Sequence, residues 1–146
     1  MKMKKCSDIM TQEVVTCTPE HTIVDVARLM KSEDIGPVLV VDNEANRTLV
    51  GIVTDRDLVL KVIAEGQDPK TTKVGDAMSK KLVTCRADDD VEIAMQAMAQ
   101  FQLRRIPVVE DNMRLVGIIS QADVATRVDA PEKTGEVLKE ISQETT

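Results

Sequence analysis

Tryptophan and tyrosine are absent from this chain of 146 residues, and phenylalanine occurs once, at Phe101. Without aromatic faces there is no platform for unpaired bases, the usual means of holding single-stranded nucleic acid. Histidine also occurs once, as His21, and cysteine three times, as Cys6, Cys17 and Cys85, with no Cys-x-x-Cys and no Cys/His cluster. That inventory argues against a zinc site, and three widely spaced cysteines make no disulfide framework. No stretch reaches the roughly 18 apolar residues of a membrane span. Excess positive charge is missing as well: the formal net charge is -6, the reverse of the basic face that a phosphate backbone requires. The opening MKMKKCSD is basic but has no apolar region of the kind a secretory signal carries. The expectation is a cytoplasmic protein with neither a nucleic-acid nor a membrane partner and no metal.

What the chain does have is aliphatic. Apolar residues make up 42% of it, enough for a core of Val, Ile, Leu, Met and Ala. It also has an internal repeat. At an offset of 68, Asp8, Met10, Val15, Thr16, Cys17, Met30, Val40 and Val41 meet Asp76, Met78, Val83, Thr84, Cys85, Met98, Val108 and Val109. Further on the offset falls to 66, and LVGIVTDRD (49–57) lies on LVGIISQAD (115–123). The lost residues fall in DNEANRT against EDNMR, where a hairpin turn tolerates a change of length.

Each copy reads as β-α-β-β-α. A short DIM or DAM turn leads into VVTC (14–17) or LVTC (82–85), a brief strand. An amphipathic helix follows, with Ile23, Val26, Ala27 and Met30 on one side in the first copy and Val91, Ala94, Met95 and Met98 in the second. Thr22-x-x-Asp25 and Asp89-x-x-Glu92 supply N-cap signals. Two apolar strands then form a hairpin, PVLVVD (37–42) with TLVGIV (48–53) and IPVVED (106–111) with RLVGII (114–119). A last helix starts at Asp55 or Gln121, the first running to Gly66. The organisation expected is repeat 1 over 6–66, a linker over 67–73 with Pro69 breaking any helix, repeat 2 over 74–128, and a C-terminal helix or tail over 129–146. In that tail Asp129 caps, Pro131 suits the first turn, and Val137, Leu138 and Ile141 form the apolar side. The fold class is α/β (α+β), with the repeats packed sheet to sheet about a pseudo-twofold axis.

The segments GIVTDRD (51–57) and GIISQAD (117–123) carry the chemistry. Thr54-x-x-Asp57 and Ser120-x-x-Asp123 are capping boxes, a common way to open a helix. Two observations point further. Gly51 and Gly117 sit mid-strand, where glycine weakens a strand unless something approaches the backbone closely. The pattern also recurs as a whole. A helix start presents free N–H groups to a phosphate, and a hydroxyl with a carboxylate one turn on suits a nucleoside phosphate.

The doubled unit, with Gly-x-x-[Ser/Thr]-x-x-Asp before its last helix and Leu103-Arg104-Arg105-Ile106-Pro107-Val108-Val109 before its hairpin, resembles a tandem pair of CBS (cystathionine β-synthase) domains. TDRDLV, the Gly-x-Asp-Pro linker and VGDAM are similar to stand-alone two-CBS proteins of the hypoxic-response-protein type. The resemblance implies a non-catalytic regulatory module. It would bind an adenosine-containing ligand (AMP, ADP, ATP, S-adenosylmethionine or NAD) in clefts between the repeats and form a homodimer. It assigns the ribose hydroxyls to Asp57 and Asp123, and the phosphate to Thr54 and Ser120, with Arg56, Arg104 and Arg105 neutralising charge. The base pocket falls to the backbone near Val15, Thr16, Val83 and Thr84, with Gly36, Pro37, Val38, Ile106 and Pro107. No catalytic cofactor is implied; the adenine nucleotide is the regulatory ligand. The two sites are not equivalent, because Gly36-Pro37 stands where the second copy has Arg104-Arg105, and Asp55-Arg56 where it has Gln121-Ala122.

Three other readings stand beside this one. In the first, the hydroxyls and aspartates serve only as caps in a ligand-free dimeric interaction module with an unidentified protein partner. Cys17 and Cys85, at matching positions, are the candidates for a thiol sensor. An enzyme is disfavoured by the lack of a nucleophile–histidine pair, a P-loop or a metal constellation. His21 reads as a solvated surface residue, and the run Asp88-Asp89-Asp90 as charge favouring a helix start rather than a metal site.

Overall fold

The structure is a computed structural model that describes residues 4–127 of the chain. The helix or tail expected over 129–146 lies outside the described residues. Along the chain run α1 (Cys6–Ile9), β1 (Thr16–Cys17), α2 (Ile23–Glu33), β2 (Val38–Val41), β3 (Leu49–Val53) and α3 (Asp55–Asp57). A π-helical stretch, Leu58–Ile63, continues α3, and α4 (Val74–Ala77), β4 (Cys85–Arg86), α5 (Val91–Phe101), β5 (Arg105–Glu110), β6 (Arg114–Ser120) and α6 (Gln121–Arg127) follow.

These elements fall into two compact units. One is contiguous, Val15–Leu82; the other is composite, taking the residues up to Val14 together with those from Val83 onward. Each holds one three-stranded sheet, ordered β1-β2-β3 or β4-β5-β6. In both sheets the first pair is parallel and the second an antiparallel hairpin. The repeat extends to the register: Cys17 lies opposite Val40 as Cys85 lies opposite Val108, and both hairpins shift register after that valine.

The mixed α/β class follows from the hydrophobic pattern. Strands β2 and β5 are buried through Val38–Val41 and Ile106–Val109, the near-continuous apolar run of strands buried on both faces. Strands β3 and β6 alternate, burying Leu49, Gly51 and Val53 or Leu115, Gly117 and Ile119. In α2 the inward stripe is Ile23, Val26 and Met30 with Leu29 packed beside it, while Ala27 is exposed. A methyl group gains little from burial, so the helix turns its larger side chains inward. Thr22 caps α2 as expected, accepting from Asp25 N at 3.2 Å while Asp25 Oδ2 accepts from Thr22 N at 3.1 Å.

The cap of α5 differs from expectation by one residue. Asp90 is the N-cap and makes no side-chain cap bond. The Asp89 carboxylate instead accepts from Arg86 N at 2.8 Å and closes the preceding turn. The last helix of the contiguous unit also differs. After Asp57 it widens into i→i−5 bonding, Ala64 N donating to Val59 O at 2.8 Å and Gln67 N to Val62 O at 2.9 Å, before Gly66 ends it at φ 71°. Leu58 and Val62 face the core, while Val59, Leu60 and Ile63 are exposed.

The segments ahead of the two sheets explain the composition of the units. Residues 4–11 pack in the composite unit, where Cys6 N donates to Asp89 O at 2.9 Å and Ser7 N to Ala87 O at 3.0 Å. Thr11 then exchanges both backbone bonds with Ile118, at 2.9 and 3.0 Å, and so covers the free edge of β6. Residues 73–79 do the same for the contiguous unit: Val74 N donates to His21 O, Gly75 N to Pro19 O, and Ser79 exchanges bonds with Ile52. Each unit is thus one repeat's sheet and helices completed by the lead-in that precedes the other. The connector is fastened too, Thr72 O and Pro69 O accepting from Ile23 N and Val24 N at the start of α2.

Candidate functional site

Both capping boxes form as read. Thr54 Oγ1 accepts from Asp57 N at 3.2 Å, and Asp57 Oδ2 accepts from Thr54 N at 2.9 Å. Ser120 Oγ accepts from Asp123 N at 3.2 Å and donates to Asp123 Oδ2 at 3.1 Å, and Ser120 N donates to the same oxygen at 2.9 Å. In each aspartate the cap therefore engages Oδ2 and leaves Oδ1 to other partners. Asp123 is buried, the only polar residue so classed among the described residues.

The partners of Oδ1 are residues that the sequence reading did not single out. Lys61 Nζ lies 3.2 Å from Asp57 Oδ1 and donates to Ala77 O at 3.1 Å. Arg127 Nη1 lies 3.8 Å from Asp123 Oδ1 and donates to Ile9 O at 3.0 Å. Lys61 and Arg127 are matching positions, as are Ala77 and Ile9 at the ends of α4 and α1. A basic residue one turn after each aspartate thus ties it to the incoming lead-in. The signal was present as Asp-x-x-x-Lys and Asp-x-x-x-Arg, an i,i+4 ion-pair spacing repeated in both copies. In the composite unit Thr11 Oγ1 adds a long bond to Asp123 Oδ1 at 3.5 Å.

The mid-strand glycines have a structural cause. A Cβ built on Gly51 would stand 2.8 Å from both Met78 Sδ and Ser79 O; on Gly117 it would stand 2.5 Å from Met10 Sδ and 3.0 Å from Thr11 O. The close approach that glycine permits is that of the lead-in backbone. These glycines are accounted for without a ligand.

Around the two boxes the units differ in charge. Arg105 opens β5 directly opposite Ser120, and Arg104 O accepts from Gln121 N at 3.0 Å. Side chains at opposed strand positions share a face, so Arg105 and Ser120 lie on the same face of the hairpin. Both arginines are exposed, and among the described residues neither makes an ion pair. In the contiguous unit Gly36 and Pro37 take these places, and a Cβ on Gly36 would meet the Asp55 carboxylate at 3.2–3.3 Å. A carboxylate thus stands near the chain where the composite unit presents arginine. Arg56 is exposed and lines, with Asp55, Val59 and Leu60, a depression of about 310 Å³.

The residues assigned to the base pocket differ in burial. Val38, Ile106 and Pro107 are buried, with the Val38 and Ile106 side chains in the cores of their units. Val15, Thr16, Val83, Thr84 and Gly36 are half-buried, and Pro37 is exposed. His21 is exposed, its Nδ1 accepting from Thr18 N at 3.0 Å. Among the described residues no group of three His, Cys, Asp or Glu side chains is placed to hold a metal ion.

Two copies of a three-stranded unit, each with an edge covered by a lead-in and a last helix opened by a hydroxyl–aspartate box, define a paired regulatory module. The CBS domain family model matches residues 6–64 and 74–130, and the chain belongs to that family. It is 41% identical over 141 residues to the uncharacterised protein YlbB of Bacillus subtilis, covering 97% of this chain and 93% of that one. Among solved structures, Hypoxic Response Protein I with two coordinated zinc ions superposes with a TM-score of 0.75 at 32% identity, covering 86% of this chain and all of that one. CBSX2 in complex with AMP superposes with a TM-score of 0.68 at 28% identity, over 83% and 93% of the two chains.

Proposed function

We propose that the protein is a non-catalytic sensor of an adenosine-containing ligand, an adenosine mono- or diphosphate before a triphosphate. Binding acts through a change in conformation or in the geometry of a homodimer. The observation that carries this reading is the arrangement at Asp57 and Asp123. One oxygen of each carboxylate is engaged in the helix cap, and the other meets a basic side chain that also holds the lead-in. A ribose diol bonding to Oδ1 competes with Lys61 or Arg127 and so bears directly on the fastening of residues 73–79 or 4–11. Ligand then favours one arrangement of the lead-in over another, which is the differential affinity that any ligand-driven shift requires. The AMP complex of the related CBSX2 supports the ligand class. Arg105, at the strand position opposite Ser120, favours the composite unit as the stronger phosphate seat, and Asp55 disfavours a highly charged phosphate chain in the contiguous one.

Calorimetry and thermal melts with AMP, ADP, ATP, S-adenosylmethionine and NAD test the reading. Saturating AMP or ADP, at a hundred times its Kd, raises stability by about 2.7 kcal/mol, and Asp123→Ala removes most of that gain. Absence of heat and of stabilisation with all five compounds overturns it in favour of a ligand-free interaction module. The exposed side chains of Val59, Leu60 and Ile63 on one helix face favour a protein contact in either case. Sedimentation with and without nucleotide reports whether the oligomer is the output.

A further inference from the structure

Three cysteines are described, all buried as free thiols. The sequence pairs Cys17 with Cys85 by repeat position, but the structure gives Cys85 a different neighbour. Cys17 belongs to the contiguous unit, where burial alone pushes its thiol up to about 11. Cys85, on β4, belongs to the composite unit, and so does Cys6, which arrives on α1. The two side chains sit in one core cluster with Ile9, Val91 and Ile106, at 0% and 3% exposure. Backbone bonds from Cys6 to Asp89 and from Ser7 to Ala87 hold α1 against the turn that leaves β4.

Each thiol donates to a carbonyl, Cys6 Sγ to Asp90 O and Cys85 Sγ to Pro107 O, both at 3.8 Å. The neighbouring sulfur lowers the Cys6 thiol below its ordinary value and, with burial, raises that of Cys85. Cys6 is therefore the sulfur that ionises first and Cys85 the one that keeps its proton. The repeat supplies an internal comparison. The positions matching Cys6 and Cys85 in the contiguous unit are Val74 and Cys17, both buried in its core. The same packing thus works with a valine at the lead-in position, and the second thiol of the composite unit is not needed to fill space.

We propose that Cys6 and Cys85 are a thiol-oxidation site that closes to a disulfide with hydrogen peroxide and locks the 4–11 lead-in onto β4. The Cys6 thiolate attacks peroxide; its S–O bond forms, the O–O bond breaks, and hydroxide leaves. The Cys85 sulfur then displaces the hydroxyl of the Cys6 sulfenic acid. The S–S bond forms, the S–O bond breaks, and the Cys85 proton leaves with that hydroxyl as water. Two thiols lose two electrons and two protons, and one peroxide becomes two waters. Access requires α1 to open locally, which releases its backbone bonds to Asp89 and Ala87. The locked segment is the one that carries Thr11 to Asp123.

The test uses the full chain, treated with hydrogen peroxide under native conditions, quenched, alkylated after denaturation and mapped by mass spectrometry. A peptide pair joining Cys6 to Cys85 is expected, reversed by dithiothreitol, with Cys17 recovered as the alkylated thiol. Hydrogen exchange at residues 6–11 should slow at least several-fold in the oxidised protein. Cys6→Val, the substitution the other repeat already tolerates, should fold, lose the linkage and show no change in exchange on oxidation. Recovery of Cys6 and Cys85 as thiols or sulfinic acids without a link overturns the proposal. A link from Cys17 to Cys85, or between two chains, overturns it equally.

Discussion

Substituting alanine at Gly51 and at Gly117 tests the role of the lead-ins, because the two sites are matched in sequence and differ in what the added methyl group meets. At Gly51 the Cβ stands 2.8 Å from Ser79 O, a backbone atom paired with Ile52, as well as 2.8 Å from Met78 Sδ. At Gly117 the atoms closer than 3.0 Å belong to the Met10 side chain, and Thr11 O stands at 3.0 Å. Thioether side chains move cheaply; a paired backbone does not. Overpacking of this kind typically costs about 1–3 kcal/mol, and the unfolded-state gain of glycine to alanine returns about 0.4–1 kcal/mol. Gly51→Ala should therefore destabilise by about 1–2 kcal/mol net, and Gly117→Ala by about half as much. Urea melts read both. In a Met10→Ala background the Gly117→Ala penalty should vanish, whereas Met78→Ala should leave most of the Gly51→Ala penalty in place. If Gly51→Ala is neutral or stabilising, or if removing the Met78 side chain abolishes its effect, the backbone approach is not what glycine serves.

The caps and the cysteine core give two more expectations. Asp57→Ala and Asp123→Ala should each destabilise the ligand-free protein by about 1 kcal/mol by removing the acceptor for the N-cap N–H, with Asp123 the larger because it is buried. A dependence on nucleotide beyond that constant loss separates ligand binding from capping, and equal losses with and without AMP or ADP contradict the sensor reading. Cys17 sets an alkaline limit. Burial pushes its folded thiol up to about 11, above its ordinary value of 9.0, so the native state keeps a proton that the unfolded chain gives up. Its contribution is fully present below pH 9 and is lost as pH rises from 9 to 11, by about 2–3 kcal/mol in all. The Cys17→Ala variant should be less stable at pH 8 yet show a shallower decline over that window. An unchanged slope removes Cys17 as its source.

Periodicity and turn chemistry made the repeat, its sheets and both capping boxes legible before any coordinates. Thr22, Thr54 and Ser120 each cap the helix they were read to cap, because a hydroxyl and a carboxylate three residues on form local bonds that need no tertiary context. The cap of α5 slipped from Asp89 to Asp90 because three adjacent aspartates offer equivalent carboxylates, and the turn after β4 took one of them. The destination of the lead-ins was hidden for a different reason. DIM and DAM are so alike that either satisfies either sheet edge locally, and only the folded chain shows which one each edge takes. That gap misdirected the glycines, correctly read as points of close approach but credited to a ligand. It also concealed the Cys6 neighbour of Cys85, since repeat symmetry relates Cys85 to Cys17 and says nothing of what packs against it. Lys61 and Arg127 were legible as i,i+4 partners of the two aspartates, though their bonds to Ala77 and Ile9 were not.

The lead-in arrangement has a consequence for the order in which the molecule takes shape during synthesis. The contiguous unit is complete in sequence once Leu82 has left the ribosome. Residues 4–14 emerge before either sheet and have no edge to cover until β6 exists. The bond from Thr11 to Asp123 spans 112 residues, and that from Lys4 to Arg127 spans 123. Closing a loop of that length carries an entropy that short-range pairings avoid, so the composite unit assembles after the contiguous one and more slowly. For that interval Cys6 is an exposed thiol, and it is withdrawn from solvent when the last strand arrives.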